Sequence, residues 1–580
     1  MLMNYRERYQ SWLDSSLIDQ AAKEELLSIS ANEKEIEDRF YKDLEFGTAG
    51  MRGIIGAGSN RMNKYTVSRT TQGLANYICK KGEEAKKRGV AIAYDSRRKS
   101  PDFALDAALV LCANGIKTYL FSELQPTPVL SFTVRELDAA AGIVITASHN
   151  PPEYNGYKVY GSDGAQVPPP FDQDIIDEVN RVEDLESVLT MTEEEAVSKG
   201  LLEYIGEEVV AKYIEKVKGL CINKELLKEQ GRTLKVIYTP IHGTGNKPVR
   251  RVLKELGFEQ VAVVPEQEFP DSEFPTVAYP NPEDKEVFAL GIQLAEEIGA
   301  DLIIGTDPDC DRVGVVVKNK DGKYITLDGN QIGALLVHYR LGSLKACNML
   351  PENGCIVKTI VTSEIGRQIA DSFGIHTIDT LTGFKFIGEK IKEFEESGSH
   401  AFLLGYEESF GYLAGTFVRD KDAVIASMLI CEMAAYYASR GMSLYDGLIS
   451  LWDEYGYYME SLDSIQAQGK EGMEKIRTLM DNLRNNRLTE VGGIKVIRTE
   501  DYLKGRAVIR RNGNEEIERI QLPSSNVLKY ILEDDSWFCV RPSGTEPKVK
   551  VYYSVKGESL MDAKTRIQLL SKAVYGMLQC

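Results

Sequence analysis

At 580 residues, 43% hydrophobic and 27% charged, the chain is too long for one core, and at roughly 150 residues per domain it divides into about four. The composition is that of a globular protein without a bias toward disorder. A formal net charge of −18 argues against nucleic acid and anionic membranes as partners, and any anionic substrate must be drawn in by local clusters of Arg and Lys. The nine cysteines are scattered and form no CxxC, so neither a disulfide framework nor a zinc site is legible. The N-terminus is charged and lacks an apolar h-region, and no apolar run approaches the ~20 residues of a membrane helix. A cytoplasmic location is expected.

Three segments in chain order share one pattern. Residues 90–121, 235–264 and 355–378 each predict an apolar strand, a short polar loop, a helix, a tight turn and a second apolar strand. The turns Asn114-Gly115-Ile116, Leu256-Gly257-Phe258 and Phe373-Gly374-Ile375 put glycine where a helix C-cap needs a left-handed residue. This alternation predicts βαβ units in mixed or parallel sheets, and three such units suggest a divergent internal repeat. Residues 526–580 predict strand, strand, loop, strand and one amphipathic helix from about Gly557. Polar stretches near 185–206, 318–326 and 454–467 are candidate boundaries. The expected fold is α/β with four domains: three related βαβ-containing α/β domains with mixed sheets, at 1–206, 207–322 and 323–455, and a C-terminal α+β domain at 456–580.

Four loops carry chemistry. Thr146-Ala147-Ser148-His149-Asn150-Pro151-Pro152 follows the apolar run 141–145, so Ser148 stands just beyond a buried strand, where ligands of α/β sheets bind. Pro151 biases Asn150 away from helical geometry, which predicts an extended, open turn with a hydroxyl able to act as nucleophile or phosphate carrier. His149 beside it suits a capping or a structural role as readily as a chemical one. The run 302–306 leads into Asp307-Pro308-Asp309-Cys310-Asp311-Arg312. In an extended chain alternate side chains share a face, so three carboxylates can converge; they repel unless a cation joins them. All-oxygen ligation suits a hard ion such as Mg²⁺, with Mn²⁺ satisfying the same oxygens. The third loop, Gly405-Tyr406-Glu407-Glu408-Ser409-Phe410-Gly411-Tyr412, suits hydrogen bonding to sugar hydroxyls, glycosidase-like acid/base work or a plain surface turn. The fourth, Arg541-Pro542-Ser543-Gly544-Thr545-Glu546-Pro547-Lys548, lies between β-like runs 536–540 and 549–554. It offers a guanidinium fork, hydroxyls and exposed backbone N–H groups to a phosphate. Together the loops predict phosphoryl transfer on a sugar phosphate.

These loops, in this order and preceded by Gly47-Thr48-Ala49-Gly50-Met51-Arg52-Gly53, resemble those of the α-D-phosphohexomutase superfamily, which spans glucose-, mannose- and pentose-phosphate mutases. The resemblance covers nearly the whole chain and implies four domains around a central cleft. It implies that Ser148 is the phosphoserine and, with Asp307, Asp309 and Asp311, holds one Mg²⁺ per chain. It further implies that Glu407 and Ser409 bind sugar hydroxyls and that Arg541, Ser543, Gly544, Thr545 and Lys548 hold the phosphate that is not being transferred. Lys158 matches a proposed general base, Arg52 an arginine near the transferred phosphate, and Gly383-Phe384-Lys385 a further substrate loop; His149 joins the catalytic set. Arg52, Lys158, Arg312, Lys385, Arg541 and Lys548 would give a positive cleft in an acidic protein. The third loop is similar to that of glucose-preferring members and lacks the Gly-His that follows the serine in many dual glucose/mannose enzymes. The implied reaction interconverts hexose 1- and 6-phosphates, glucose first, through glucose 1,6-bisphosphate, with a pentose or mannose phosphate as alternative substrate and a Mg²⁺-dependent sugar phosphatase as the rival class. The expected partner is a small hexose phosphate, with no nucleic acid or membrane, in a monomer or homodimer.

Overall fold

All three repeated segments fold as parallel βαβ units in the structure, a computed structural model that describes residues 4–47, 50–169, 171–466, 469–511, 514–542 and 548–578. In the first, strands Val90–Tyr94 and Thr118–Phe121 pair in parallel across helix Ser100–Ala113. Strands Val236–Thr239 and Val261–Val263 do so across Asn246–Glu255, and Gly354–Thr359 and His376–Thr380 across Ile365–Ser372. The turn glycines have φ of +73° at Gly115, +95° at Gly257 and +72° at Gly374, the left-handed geometry expected at these helix ends.

The chain divides into two units, Met1–Gly329 with Phe384–Leu444, and Asn330–Gly383 with Tyr445–Cys580. The first unit holds two mixed sheets. In one, Met51–Ile54, Tyr154–Gly161, Ala141–Ile145, Val90–Tyr94, Thr118–Phe121 and Leu202–Ile205 lie side by side in that order. The pairs along it run antiparallel, antiparallel, then parallel three times. Strand Ala141–Ile145 is buried at every residue, as a strand covered on both faces requires. The core around it includes Leu74, Ile92, Phe103, Leu111 and Ile143. The second sheet runs Tyr324–Leu327, Val313–Lys318, Leu302–Thr306, Val236–Thr239, Val261–Val263. The polar stretch 318–326 is therefore the turn of an antiparallel hairpin. The first unit also holds the hairpin Ala401–Glu407 and Gly411–Leu413 and the buried helix Ala423–Ala438.

Three N-terminal helices, Tyr5–Asp14, Gln20–Ser28 and Glu33–Phe40, escape the sequence reading. They bury Leu26, Ile36 and Phe40 in a small core of their own, with Trp12 edge-on to both Phe40 and Tyr65.

The second unit contains the third βαβ strands and a separate antiparallel sheet. Its order is Tyr457–Gln466, Lys548–Gly557, Trp537–Pro542, Leu528–Leu532, Ile494–Asp501, Arg506–Arg511, Asn514–Arg519. Helix Leu560–Leu578 packs Ile567, Leu570 and Val574 into that sheet's core. The order of the described elements from 526 onward, three strands and then a helix, is as expected. Within the stretch 454–467, Tyr457–Gln466 forms a ten-residue strand paired along its length with Lys548–Gly557.

Candidate functional site

Ser148 sits beyond strand Ala141–Ile145, but the turn around it is tight instead of extended. The N–H of Asn150 donates to the carbonyl of Ala147 at 3.1 Å, and Ser148 takes φ +52°, costing on the order of 1–3 kcal/mol that the surroundings must offset. The Ser148 N–H donates to Thr146 Oγ1 at 2.8 Å. Its side chain, 4% exposed, donates to Asp307 Oδ2 at 2.9 Å and lies 3.1 Å from His149 Nδ1.

The acidic loop likewise departs from the extended geometry expected. The N–H of Cys310 donates to the carbonyl of Asp307 at 2.9 Å and Cys310 has φ +52°, so the three carboxylates converge through a turn. Asp307 Oδ1 accepts the N–H groups of Asp311 and Arg312, each at 3.0 Å. Asp309 Oδ2 accepts from Thr127 Oγ1 at 3.0 Å and from Lys158 Nζ at 2.9 Å. Asp311 Oδ2 accepts from Lys421 Nζ at 2.6 Å and stands 3.7 Å from Lys158 Nζ. The remaining oxygens, Asp309 Oδ1 and Asp311 Oδ1, are buried with no hydrogen-bond partner.

One oxygen from each aspartate lies within 4.8 Å of the others. Three buried carboxylates face Lys158 and Lys421, and Arg312 Nε stands 3.9 Å from Asp311 Oδ1. Burial, then Asp309 and Asp311, holds the Asp307 carboxyl well above the usual range. Burial also pushes Asp309 up, but the charges of Lys158 and Lys421 and the Lys158 hydrogen bond act against it and Asp309 stands below its ordinary value. Two buried oxygens without hydrogen bonds and an all-oxygen set of hard ligands fit a divalent cation. The triad could therefore hold a metal.

The remaining expected residues fall in several places. Arg52 is exposed and donates to Asn150 Oδ1 at 2.8 Å, so it belongs to the serine turn. His149 is held well below its ordinary pKa by burial and by the charges of Arg312 and Arg52; it is neutral. Arg312 is ion-paired with Glu283, and its Nε has no hydrogen-bond partner. Glu407 closes strand Ala401–Glu407 and is 4% exposed, so the first half of the third loop is strand. Ser409 lies half-buried in the hairpin turn beside Phe410, φ +66°. The N–H of Val313 donates to the carbonyl of Phe410 at 3.1 Å, joining this turn to the acidic loop. Lys385, on helix Phe384–Ser397, is near Asp172 and Glu389. Gly383, φ +120°, and Arg541 and Lys548, on neighbouring antiparallel strands, belong to the second unit. Ser543, Gly544 and Thr545 lie outside the described residues, as do Thr48 and Ala49.

Three partners of the site are new to the structure. Lys421 ends in the cluster from the segment Arg419-Asp420-Lys421-Asp422, where Asp422 caps helix Ala423–Ala438 through the N–H groups of Val424 and Ile425. The readable signal was that cap ahead of an apolar helix. Thr127 opens helix Thr127–Glu136, and its N–H donates to the Asp309 carbonyl at 2.9 Å. Gly243 completes the support. A Cβ there would meet Pro308 Cα, O and C at 2.5, 2.7 and 2.9 Å, all backbone of the acidic loop. Gly243→Ala is expected to cost about 1–3 kcal/mol by overpacking and to weaken the metal response by displacing the loop. Denaturant unfolding and Mg²⁺ titration measure the two effects separately.

Four family models, described as alpha/beta/alpha domains I, II and III and the C-terminal domain of phosphoglucomutase/phosphomannomutase, match residues 43–186, 211–322, 328–455 and 470–563 in that order. The phosphoglucomutase of Staphylococcus haemolyticus (strain JCSC1435) is 39% identical over 521 residues, covering 90% of this chain and 91% of its own. The phosphoglucomutase of Staphylococcus aureus (strain bovine RF122 / ET3-1) is 36% identical over 542 residues, covering 92% and 94%. Among solved structures, a phosphoglucomutase/phosphomannomutase family protein from Burkholderia thailandensis aligns with TM-score 0.64 at 20% identity, over 91% of this chain and 96% of that one. The open form of pp63/parafusin from Paramecium aligns with TM-score 0.67 at 17% identity, over 93% and 96%. At such identities the structures speak for the fold alone.

Proposed function

Since the chain belongs to the phosphoglucomutase/phosphomannomutase family, we propose that it interconverts glucose 1-phosphate and glucose 6-phosphate through a phosphorylated Ser148 and a glucose 1,6-bisphosphate intermediate. One observation carries the reading: Ser148 Oγ lies 2.9 Å from a buried three-carboxylate cluster with two orphaned oxygens.

In the first half-reaction the bond from phosphorus to Ser148 Oγ breaks as phosphorus bonds to the C6 oxygen of glucose 1-phosphate. The hydroxyl proton passes to a base, and Ser148 recovers a proton. In the second, after the bisphosphate has turned over, Ser148 Oγ attacks the C1 phosphate, loses its proton and leaves the C1 oxygen protonated. The 3.1 Å contact of neutral His149 with Ser148 Oγ supports it as the exchanger of the serine proton, and the family resemblance supports Lys158 as the base for the sugar hydroxyl. A single Mg²⁺ on Asp307, Asp309, Asp311 and a Ser148 oxygen would neutralise charge on the phosphoryl group. Arg52 and Arg312 meet the transferred phosphate; Glu407 and Ser409 take sugar hydroxyls. Arg541, Ser543, Gly544, Thr545 and Lys548 hold the other phosphate, and Gly383 and Lys385 belong to a further substrate-contacting loop.

The same reading divides the chain at 206, 322 and 455, makes glucose 1,6-bisphosphate the activator, and sets the protein in the cytoplasm as a monomer or homodimer. None of its described helices is long and apolar enough to cross a membrane.

The test is phosphorus NMR of the protein with glucose 1-phosphate, Mg²⁺ and a trace of glucose 1,6-bisphosphate. The resonance is expected to move to glucose 6-phosphate without inorganic phosphate. Release of inorganic phosphate would make the protein a phosphatase; turnover of pentose or mannose phosphates in preference would reassign the sugar.

A further inference from the structure

One buried guanidinium beneath the serine turn takes no part in the chemistry derived above. Arg97 follows strand Val90–Tyr94, a parallel neighbour of the strand that precedes Ser148, and its side chain is wholly out of solvent. Its Nη2 donates to the carbonyls of Ser148 and Asn150, both at 2.5 Å. Its Nη1 donates to the carbonyls of Pro151 and Tyr154 at 2.8 and 3.2 Å. Asp95 anchors it from behind: one oxygen accepts the Arg97 N–H at 3.0 Å and the Ser100 hydroxyl at 2.7 Å, and the other stands 3.3 Å from Arg97 Nε. The guanidinium carbon lies over the buried ring of Phe274, 5.0 Å from its centroid.

All four acceptors of the fork belong to residues 148–154, the turn that carries the reacting oxygen and the chain leaving it. That turn holds a non-glycine residue in the left-handed region, a conformation that persists only when its surroundings over-determine it. A planar fork with fixed N–H directions can bind four carbonyls at once, whereas an ammonium presents its donors from one point. The Arg97 charge also lies within electrostatic reach of Asp307 and Asp309, beneath the position a phosphate on Ser148 would take.

We propose that Arg97 is a positioning residue for phosphoryl transfer, holding the Ser148 turn so that Oγ faces the acidic cluster and setting a buried positive charge under the phosphoserine. This rests on Ser148 being the phosphate carrier. Displacing a reacting group by ~1 Å costs on the order of 100-fold in rate, and that is the loss expected in kcat for Arg97→Gln and for Arg97→Lys alike, with little change in KM for glucose 1-phosphate. The lysine restores charge without the fork, so it does not rescue. Phe274→Leu, which leaves all four hydrogen bonds in place, is expected to lose less than about tenfold on the same scale.

The experiment measures kcat and KM of the full-length variants in Mg²⁺ at temperatures where thermal unfolding shows each fully folded. Intact mass after exposure to glucose 1,6-bisphosphate reports Ser148 loading, and the phosphoserine phosphorus resonance reports its surroundings. A lowered kcat with unchanged KM and a displaced resonance in Arg97→Lys supports the proposal. Wild-type kcat in folded Arg97→Lys overturns it, as does a loss in Arg97→Gln that merely tracks the unfolded fraction. If the wild type turns sugar phosphate over without loading Ser148, the carrier assignment itself fails and the positioning role falls with it.

Discussion

Ser148→Ala is expected to lower glucose 1-phosphate turnover on the order of 10⁵-fold, because the substitution removes the atom that carries the phosphoryl group and not merely a contact. The fold should survive. The residue 148 N–H keeps its 2.8 Å bond to Thr146 Oγ1, and Arg97 still binds the same backbone carbonyls. The structural loss is the hydroxyl donor to Asp307 Oδ2. Asp307 keeps two backbone donors on its other oxygen, so the loss amounts to about 1 kcal/mol. Turnover by phosphorus NMR and intact mass after incubation with glucose 1,6-bisphosphate check the result. The wild type gains the mass of one phosphoryl group and the variant does not. A variant that turns over at the parental rate would end the phosphoserine reading, whatever the family.

How much of this was legible in the sequence depends on how local each determinant is. The glycines at 115, 257 and 374 announced their helix ends because a left-handed C-cap is set by neighbouring residues alone. The strand before Ser148 was legible because full burial leaves an unbroken apolar run. The shapes of the two reactive turns were not. Pro151 suggested an extended chain at Ser148 and alternation one at Asp307, yet both turn through non-glycine residues at positive φ. In the serine turn the stabilising groups come from elsewhere in the chain, above all the Arg97 fork. Lys421 was invisible for the same reason: 110 residues separate it from Asp311. The strands of 457–519 were missed because much of their surface is solvated. Asn514–Arg519 is exposed at every residue and shows no apolar period to read. The N-terminal helices did carry a local sign, the Asn4 and Glu7 capping box, which went unread.

The charge balance at the cluster also corrects a sequence expectation. Of the six cations expected to line one positive cleft, Lys158 is committed to Asp309 and Asp311 and Arg312 to Glu283. Lys421, which was not among the six, is committed to Asp311. Near Ser148 the lysines are neutralised by the carboxylates before any phosphate arrives. The charge that would attract a phosphate must then come from the cation the triad accepts, together with Arg52, Arg97 and Arg312, whose charges all act at His149 beside Ser148.

Asp309→Asn is therefore the sharpest test of the metal site. The amide is nearly isosteric and keeps an oxygen toward the cluster, but it removes one of three negative charges and one anionic ligand. Changes to groups that only orient a metal ligand already cost about 10–100-fold in affinity, so losing a ligand charge is expected to weaken Mg²⁺ binding by at least about 100-fold. Turnover at limiting Mg²⁺ should fall with it. Without metal, two effects oppose each other. Lys158 loses its 2.9 Å partner and retains Asp311 at 3.7 Å, while Asp307 is relieved of a like charge that holds its carboxyl high. Metal-free stability should therefore change less than the metal response does. In the wild type, Mg²⁺ at 100 times its dissociation constant adds about 2.7 kcal/mol to folding stability, read as a rise in melting midpoint that EDTA reverses. In Asp309→Asn at the same Mg²⁺ that rise should nearly vanish. An equal rise in both proteins, with equal Mg²⁺ dependence of turnover, would remove the metal from Asp309 and leave Asp309 and Asp311, with Lys158 and Lys421, as a buried ion-pair network alone.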